Sequence, residues 1–401
     1  MTDHRSAPAR PLIVLFAASI VFTIGDGSIQ ILIAPHLQAQ GVGPARIGPI
    51  VAAYSVGALC FRFVTGALYR TSRIRYLIPG GCLLQALSFL VLANSTSQAV
   101  LAGATTANGI GFAIASTGGL AAVMELRPAS NAGVLMGWYT GCIGAGYAVS
   151  SFLGGLAGDH LGIPRAITLL AALPLVAAIG LASAVWRLSG DASAPEAPST
   201  GRSRVGIRGI RTLSPFVLLA FFCALHINLL SGVLHAFFPL YGLAIGLSLT
   251  QVGSLSGMSS AVSSAIRFST PALFKRVSYH RLLPWMVVLG GLATAALTIS
   301  RLFVVLAIAW IGIGASRAIL RVSSAALVMD SAGGSDRQRG TASGIYMSGL
   351  DIGKIIGPVL GGFSVDAFGY EPTFLAAGLG VPVVFFAYYA WLKARGPAPV
   401  T

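Results

Sequence analysis

The 401-residue sequence has little charge and very few acids. Only 9% of its residues are charged and 55% are hydrophobic, whereas a soluble globular domain carries about 25% charged residues. This composition cannot build a water-facing surface, so a soluble protein is excluded. The 50 glycines and 20 prolines are scattered through long apolar runs, which is typical of membrane helices. Their distribution also excludes disordered and collagen-like chains.

Cysteines and ligand motifs are scarce as well. The four cysteines lie inside apolar runs without ligand spacing, so they are interpreted as small buried side chains rather than as a metal site or disulfides. The sequence has no phosphate-binding loop, no His-x-x-x-His and no Ser/His/Asp grouping. We therefore expect no cofactor, no metal and no enzymatic activity.

Acids are outnumbered by bases, 11 to 26, which gives a net charge of +15. Most of the bases fall on alternate connections and on the two tails, among them Arg70, Arg73, Lys275 and Arg276, while the opposite side receives only Arg46, Arg165 and Arg301. This asymmetry follows the positive-inside rule. It predicts a multi-pass protein of the inner membrane with both termini cytoplasmic. The basic excess is thus explained by the lipid bilayer, and we expect no nucleic-acid partner.

Twelve apolar runs have the length of a membrane span, about 20 residues. The longest polar stretch, 187–212, is rich in Ser, Pro, Gly and Arg and separates two sets of six spans. We predict an N-terminal six-helix bundle at 1–186, a cytoplasmic linker at 187–212 and a C-terminal six-helix bundle at 213–401.

The two sets of spans resemble each other. When the second half is shifted by 205 positions, residues 62–70 align with residues 267–275 and five of the nine positions are identical. A shift of 207 aligns Asp159 with Asp366. Such repeats are the sequence signature of many secondary transporters. We predict an all-α polytopic membrane protein with twelve transmembrane helices in two six-helix bundles related by pseudo-twofold symmetry.

These features resemble the major facilitator superfamily, most closely its drug:proton antiporter-type and small-metabolite branches. Residues 66–75 occupy the place of its G-x-L-a-D-R-x-G-R-K signature, although Arg70 stands at the signature's Asp. Residues 105–111 occupy the place of R-x-x-Q-G-x-G, with Thr105 at the arginine position. The resemblance implies the major facilitator fold and a monomeric secondary active transporter of a small molecule.

Charged residues inside the predicted spans are the strongest functional signal, because each costs roughly 2.5–3.5 kcal/mol on insertion scales. They comprise two acids and five bases: Asp26, Arg62, Arg267, Arg317, Arg321, Asp351 and Lys354.

Three of these bases predict a binding site for an anion. Arg317 and Arg321 are spaced i,i+4, and Asp351 and Lys354 are spaced i,i+3, so each pair shares one helix face. Guanidinium groups suit carboxylate or phosphate. The alternative is a structural network neutralised by Asp351.

Arg62 and Arg267 occupy equivalent places in the repeat and are candidates for substrate binding. The alternative is a cytoplasmic gate in which they pair with acids. In the gate hypothesis, the acids Glu125 and Asp330 form ion pairs with the basic connections, which carry Arg70, Arg73, Lys275 and Arg276.

Asp26 is the best candidate for a proton carrier, because its own span offers no cation. The alternative is a structural partner for an arginine of the other half. Gln30 lies one turn further on the same face.

Further candidates for substrate binding are polar or aromatic residues in otherwise apolar spans, each with packing as the alternative: His226, Asn228, Tyr139 and Tyr346.

The resulting hypothesis is a secondary active transporter for a small organic anion, such as a carboxylate metabolite or siderophore, driven by protons in the export direction. A proton-coupled multidrug exporter is the first alternative, and an integral membrane lipid-modifying enzyme is an alternative of another class.

Overall fold

The computed structural model describes residues 9–68, 71–125, 132–189, 214–274, 278–331 and 336–394. Within them the chain forms thirteen helices. The first seven are α1 (Ala9–Ala39), α2 (Pro44–Leu68), α3 (Thr71–Asn94), α4 (Gln98–Glu125), α5 (Ala132–Leu161), α6 (Ile163–Leu170) and α7 (Ala172–Ser189). The other six are α8 (Pro215–Ala244), α9 (Leu249–Phe274), α10 (Tyr279–Ala296), α11 (Phe303–Ser331), α12 (Asp336–Phe368) and α13 (Tyr370–Ala394).

These helices confirm the predicted all-α polytopic membrane fold. The helices α6 and α7 follow each other directly and together contribute one apolar span, Ile163–Ala184. In the described part of the chain, nine segments are long and apolar enough to cross a membrane. The helices α9 and α12 are less apolar, because α9 is rich in serine and α12 carries Asp351 and Lys354.

The chain divides into two compact units. The first comprises Met1–Glu196 and Phe238–Gly257, and the second comprises Ala197–Phe237 and Met258–Thr401. The segment 238–257 therefore groups with the first half of the sequence. The predicted bundle boundaries follow the sequence repeat instead and stay a prediction, and most of the predicted linker lies outside the described residues.

Close helix contacts in the first unit depend on glycine. The helix α4 packs on α2 and α3, and α1 packs on α5 and α7. Gly109 of α4 lies directly against the backbone carbonyl of Tyr54 in α2, where a Cβ atom would collide. Small residues allow helix backbones to approach closely in a membrane protein. The contact fixes Tyr54 beside the middle of α1.

In the second unit, α10 packs on α11 and α13, and α12 lies close against α8. The close contact follows three glycines of α12 spaced four residues apart, and each of them meets a backbone carbonyl of α8. They are Gly349 at Phe221, Gly353 at Leu225 and Gly357 at Leu229. The charged residues of α12 are thereby placed beside the polar residues of α8.

The first turn of α9 is capped by a side chain from another helix. Asp159, near the end of α5, accepts hydrogen bonds from the backbone N–H groups of Leu249 and Thr250 at 3.0 and 2.8 Å, and from the Thr250 hydroxyl at 2.6 Å. The first N–H groups of a helix have no partner within the helix, and the positive end of its dipole favours a carboxylate. This cap joins α9 to α5 within the first unit.

We expect Asp159→Ala to lower the stability of the protein by about 0.5–1 kcal/mol, in the range for loss of an exposed helix cap. The midpoint of thermal unfolding of the detergent-solubilised protein measures the effect. Asp366→Ala is the matched control, since Asp366 aligns with Asp159 in the repeat, is exposed and makes no hydrogen bond to a described residue. Equal midpoints for the two variants would contradict a stabilising role for the cap.

Candidate functional site

Asp26 lies in the middle of α1 with its side chain fully buried. Its Oδ2 accepts hydrogen bonds from Gln30 Nε2 at 2.9 Å, the Tyr54 hydroxyl at 3.0 Å and the Tyr147 hydroxyl at 2.7 Å. Its Oδ1 accepts a hydrogen bond from Gln85 Nε2 at 3.1 Å. We call Asp26 and these four donors the Asp26 cage.

The four donors come from α1, α2, α3 and α5, so the Asp26 carboxylate connects four helices of the first unit. A carboxylate accepts hydrogen bonds only, whereas a protonated carboxyl group must also donate one. At least one donor of the cage has to turn away when Asp26 takes up a proton. The charge on Asp26 is thereby linked to the contacts between these helices.

An aromatic side chain holds the two tyrosines of the cage in place. The Phe112 ring of α4 lies 6.1 Å from the ring of Tyr54 and 6.2 Å from the ring of Tyr147, measured between centroids. It also contacts Phe22 of α1 at 5.9 Å. This packing restrains the rings of the two tyrosines whose hydroxyls donate to Asp26.

In the second unit, by contrast, several positively charged side chains lie near one another. Arg317 of α11 donates from Nη1 to the Ser231 hydroxyl of α8 at 3.0 Å. Arg267 of α9 and Arg321 of α11 are close enough to repel it electrostatically. Together with Lys354 of α12, these three arginines form what we call the Arg317 cluster. The predicted site also includes one acid, Asp351, and both Asp351 and Lys354 are half-buried and engaged in polar interactions.

Polar groups of α8 connect the cluster to its neighbours. The backbone carbonyl of Ser231 lies 2.6 Å from His235 Nδ1, and since a carbonyl only accepts, Nδ1 carries the proton. The charges of Arg317 and Lys354 both act on His235. Asn228 Nδ2 donates to the Leu350 carbonyl of α12 at 2.7 Å, so this predicted binding residue joins α8 to α12.

The predicted tyrosines are buried and engaged. The Tyr139 hydroxyl donates to the Ser116 carbonyl at 3.0 Å, and the Tyr346 hydroxyl donates to the Arg321 carbonyl at 3.1 Å. Both bonds join neighbouring helices. Arg62 is exposed on α2, where its charge acts on Tyr54. Roles in substrate binding for these residues stay predictions.

Little of the predicted gate is described. Arg70, Lys275 and Arg276 lie outside the described residues, and for Glu125 and Arg73 only the helical backbone is described. Asp330 is exposed near the end of α11. The part of the chain that the structure describes contains no group of three or more His, Cys, Asp or Glu side chains able to hold a metal ion.

Sequence reasoning found Asp26 and Gln30 but missed the other three donors of the cage. Gln85 carried a usable signal, because it is a polar residue in an apolar span. Tyr54 and Tyr147 carried none, since tyrosine is common in membrane helices and is usually a packing residue.

Comparison with known proteins identifies the same family as the sequence motifs. The Major Facilitator Superfamily profile matches residues 15–335 and 297–401. An uncharacterized MFS-type transporter of Methanocaldococcus jannaschii is 20% identical over 364 residues, which cover 89% of this chain and 91% of that protein.

Two solved structures share the fold. The nucleoside transporter NupG superposes with a TM-score of 0.76 at 14% identity, covering 96% of this chain and 99% of that one. A bacterial homolog of the human lysosomal transporter Spinster superposes with a TM-score of 0.73 at 14% identity, covering 98% of this chain and all of that one.

We expect Tyr147→Phe to destabilise the protein by about 1.5–3 kcal/mol, because it removes a hydrogen bond to a buried charged group. Tyr139→Phe is the matched control, since it removes a hydrogen bond to a neutral carbonyl and should cost about 0.5–1.5 kcal/mol. Thermal unfolding midpoints measure both. In a double-mutant cycle, Asp26→Asn should reduce the effect of Tyr147→Phe. Equal effects of Tyr147→Phe and Tyr139→Phe, with no coupling to Asp26, would show that the cage does not stabilise a charge.

Proposed function

Because the chain belongs to the major facilitator superfamily, we propose that this transporter is a secondary active carrier for a small organic anion. Carboxylate metabolites and carboxylate siderophores are the substrate class that we favour. We further propose that transport is coupled to protons, runs in the export direction and takes place across the inner membrane.

The observation that carries the anion proposal is the setting of Arg317. Among the described residues, the groups that act on its charge are Arg267 and Arg321, which are both cations, and its hydrogen bond goes to a neutral hydroxyl. A buried charge without a counter-charge is costly. An anionic substrate placed among these side chains supplies the missing charge, and guanidinium groups bind carboxylates with two parallel hydrogen bonds.

Other substrate classes fit this site less well. Lipophilic cations, the substrates of the alternative multidrug exporter, would be repelled by the Arg317 cluster. NupG is a nucleoside transporter, but at 14% identity the likeness concerns the fold, so nucleosides enter as one class to be tested.

We expect Arg317→Ala to abolish transport of the anion while leaving the protein folded. A lost charge-assisted hydrogen bond of about 1.5–3 kcal/mol corresponds to about a 10- to 150-fold weaker Kd. The substrate is first sought by thermal stabilisation of the purified protein with mono-, di- and tricarboxylates, sugars, nucleosides and lipophilic cations. Uptake of the best ligand into proteoliposomes then compares wild type with the variant.

Arg165→Ala is the matched control, because Arg165 is an exposed arginine at the start of α6 and its loss should not affect transport. Arg317→Lys keeps the charge but loses the planar fork, so an intermediate rate is expected. Normal transport of a neutral or cationic ligand by Arg317→Ala would refute the anion proposal.

The Asp26 cage supports Asp26 as the proton-coupling residue. Proton uptake there changes the hydrogen bonding of the cage, and three of its four hydrogen bonds join α1 to another helix, which links protonation to helix packing. A ligand shifts a conformational equilibrium only as far as it interacts differently with the two states. Four donors from four helices provide such a difference between the charged and the neutral acid.

We expect Asp26→Asn to lose proton-driven accumulation and to keep substrate exchange, since the amide resembles the permanently protonated acid. The fold should tolerate the amide, because Gln85 Oε1 is buried without a hydrogen-bond partner among the described residues and can accept its N–H. Uptake is measured with and without an imposed pH gradient. Asp366→Asn, at an exposed position, is the control. Full uphill transport by Asp26→Asn would exclude Asp26 from coupling.

The remaining proposals rest on the sequence. The distribution of Lys and Arg supports cytoplasmic termini, and the antiporter-like loops support export. Glu125 and Asp330 recur at equivalent places in the two halves beside basic connections, so we propose that their ion pairs close the cytoplasmic side. Exposed pairs contribute only roughly 0–1 kcal/mol each, which suits a gate that has to open.

A further inference from the structure

A small cavity in the second unit lies beside Arg317, between α8, α10 and α11. Its volume is about 20 Å³, and the lining residues with polar side-chain groups are His226, Ser231, His235, Trp310, Ser316 and Arg317. One water molecule or one monatomic ion fits in such a space. The cavity shares Arg317 with the proposed transport site.

Two polar groups of the lining have no partner in the described part of the chain. His226 is only 2% exposed, and neither of its ring nitrogens makes a hydrogen bond. Arg317 Nε is also buried without an acceptor. An arginine nitrogen only donates, and a neutral imidazole carries one N–H donor. Native proteins rarely leave buried donors unsatisfied, so these groups indicate a ligand that accepts hydrogen bonds.

The charge of the lining also indicates an anionic ligand. None of the residues that line the cavity is an acid, whereas Arg317 brings a positive charge, and the charges that act on Arg317 come from Arg267 and Arg321. The Ser316 hydroxyl already donates to the Met286 carbonyl at 2.6 Å. An anion in the cavity can accept from both Arg317 Nε and His226 and can offset the positive charge.

We propose that this cavity is a binding site for a monatomic inorganic anion, chloride, held by Arg317 Nε and His226 as a resident counter-ion. The site goes beyond the transport function, because chloride is a ligand distinct from the substrate, for which the charges of Arg267, Arg321 and Lys354 remain. Water is the competing occupant by size. Water can donate to the unprotonated nitrogen of His226 but cannot offset the positive charge of Arg317, so an anion is the better match.

The first test measures the thermal unfolding midpoint of the full-length purified protein without any substrate. Chloride replaces methanesulfonate, a polyatomic anion, at constant ionic strength. A ligand that binds the folded state stabilises it by mass action. We expect the midpoint to rise by about 1–3 °C for each tenfold increase in chloride above its Kd, and bromide should act in the same way.

Variants locate the effect. His226→Phe keeps a ring of similar size but removes the donor, so the response to chloride should disappear. His160→Phe is the matched control at an exposed position in the first unit, and it should respond like wild type. An unchanged chloride response in folded His226→Phe would overturn the assignment.

The second test does not depend on a variant. Crystals of the wild-type protein grown in bromide should show an anomalous difference peak within hydrogen-bond reach of Arg317 Nε and His226. A flat chloride response or the absence of this peak would mean that the cavity holds only water, and would overturn the proposal. Bromide binding in a protein that transports no organic anion would refute only the proposed transport function, and the reverse result would refute only the chloride site.

Discussion

A carboxylate can be buried in the middle of α1 only because four side chains direct hydrogens at it. Removing a charge from water costs several kcal/mol even after the protein relaxes, and each hydrogen bond to a charged group returns about 1.5–3 kcal/mol. The donors at Asp26 come from four helices. The positions of α2, α3 and α5 around α1 are therefore constrained by the charge state of a single acid.

The second unit also buries a charge, but there the charge is positive and only partly compensated. In the part of the chain that the structure describes, the charges acting on Arg317 come from two arginines and its hydrogen bond goes to a neutral hydroxyl, so its positive charge is open to an anionic ligand. A fully compensated cluster would bind an anion weakly, because the anion would have to displace an internal partner. The incomplete compensation at Arg317 is therefore what a binding site for anions requires, and it costs stability.

The contrast explains which parts of the molecule were predictable from the sequence. Apolar runs and the internal repeat predicted the helices, and the cost of charge in a membrane identified Asp26 and Arg317. The donors at Tyr54, Gln85 and Tyr147 lie 28, 59 and 121 positions from Asp26, and only the packing of α2, α3 and α5 brings them to it. The cap of α9 by Asp159 was missed for the same reason, since the two are about 90 residues apart in the sequence.

The two repeated halves differ in the surroundings of equivalent residues, and this difference bears on function. Arg62 and Arg267 align in the sequence, yet Arg62 acts on a tyrosine of the Asp26 cage and Arg267 acts on the cations around Arg317. Equivalent positions of the repeat thus act on a tyrosine that binds Asp26 in one unit and on a group of bases in the other. A carrier that binds a proton in one unit and an anion in the other can let each ligand alter the packing of its own helices. Coupling between the two then requires only that both packings bias the same conformational equilibrium, without any direct contact between proton and anion.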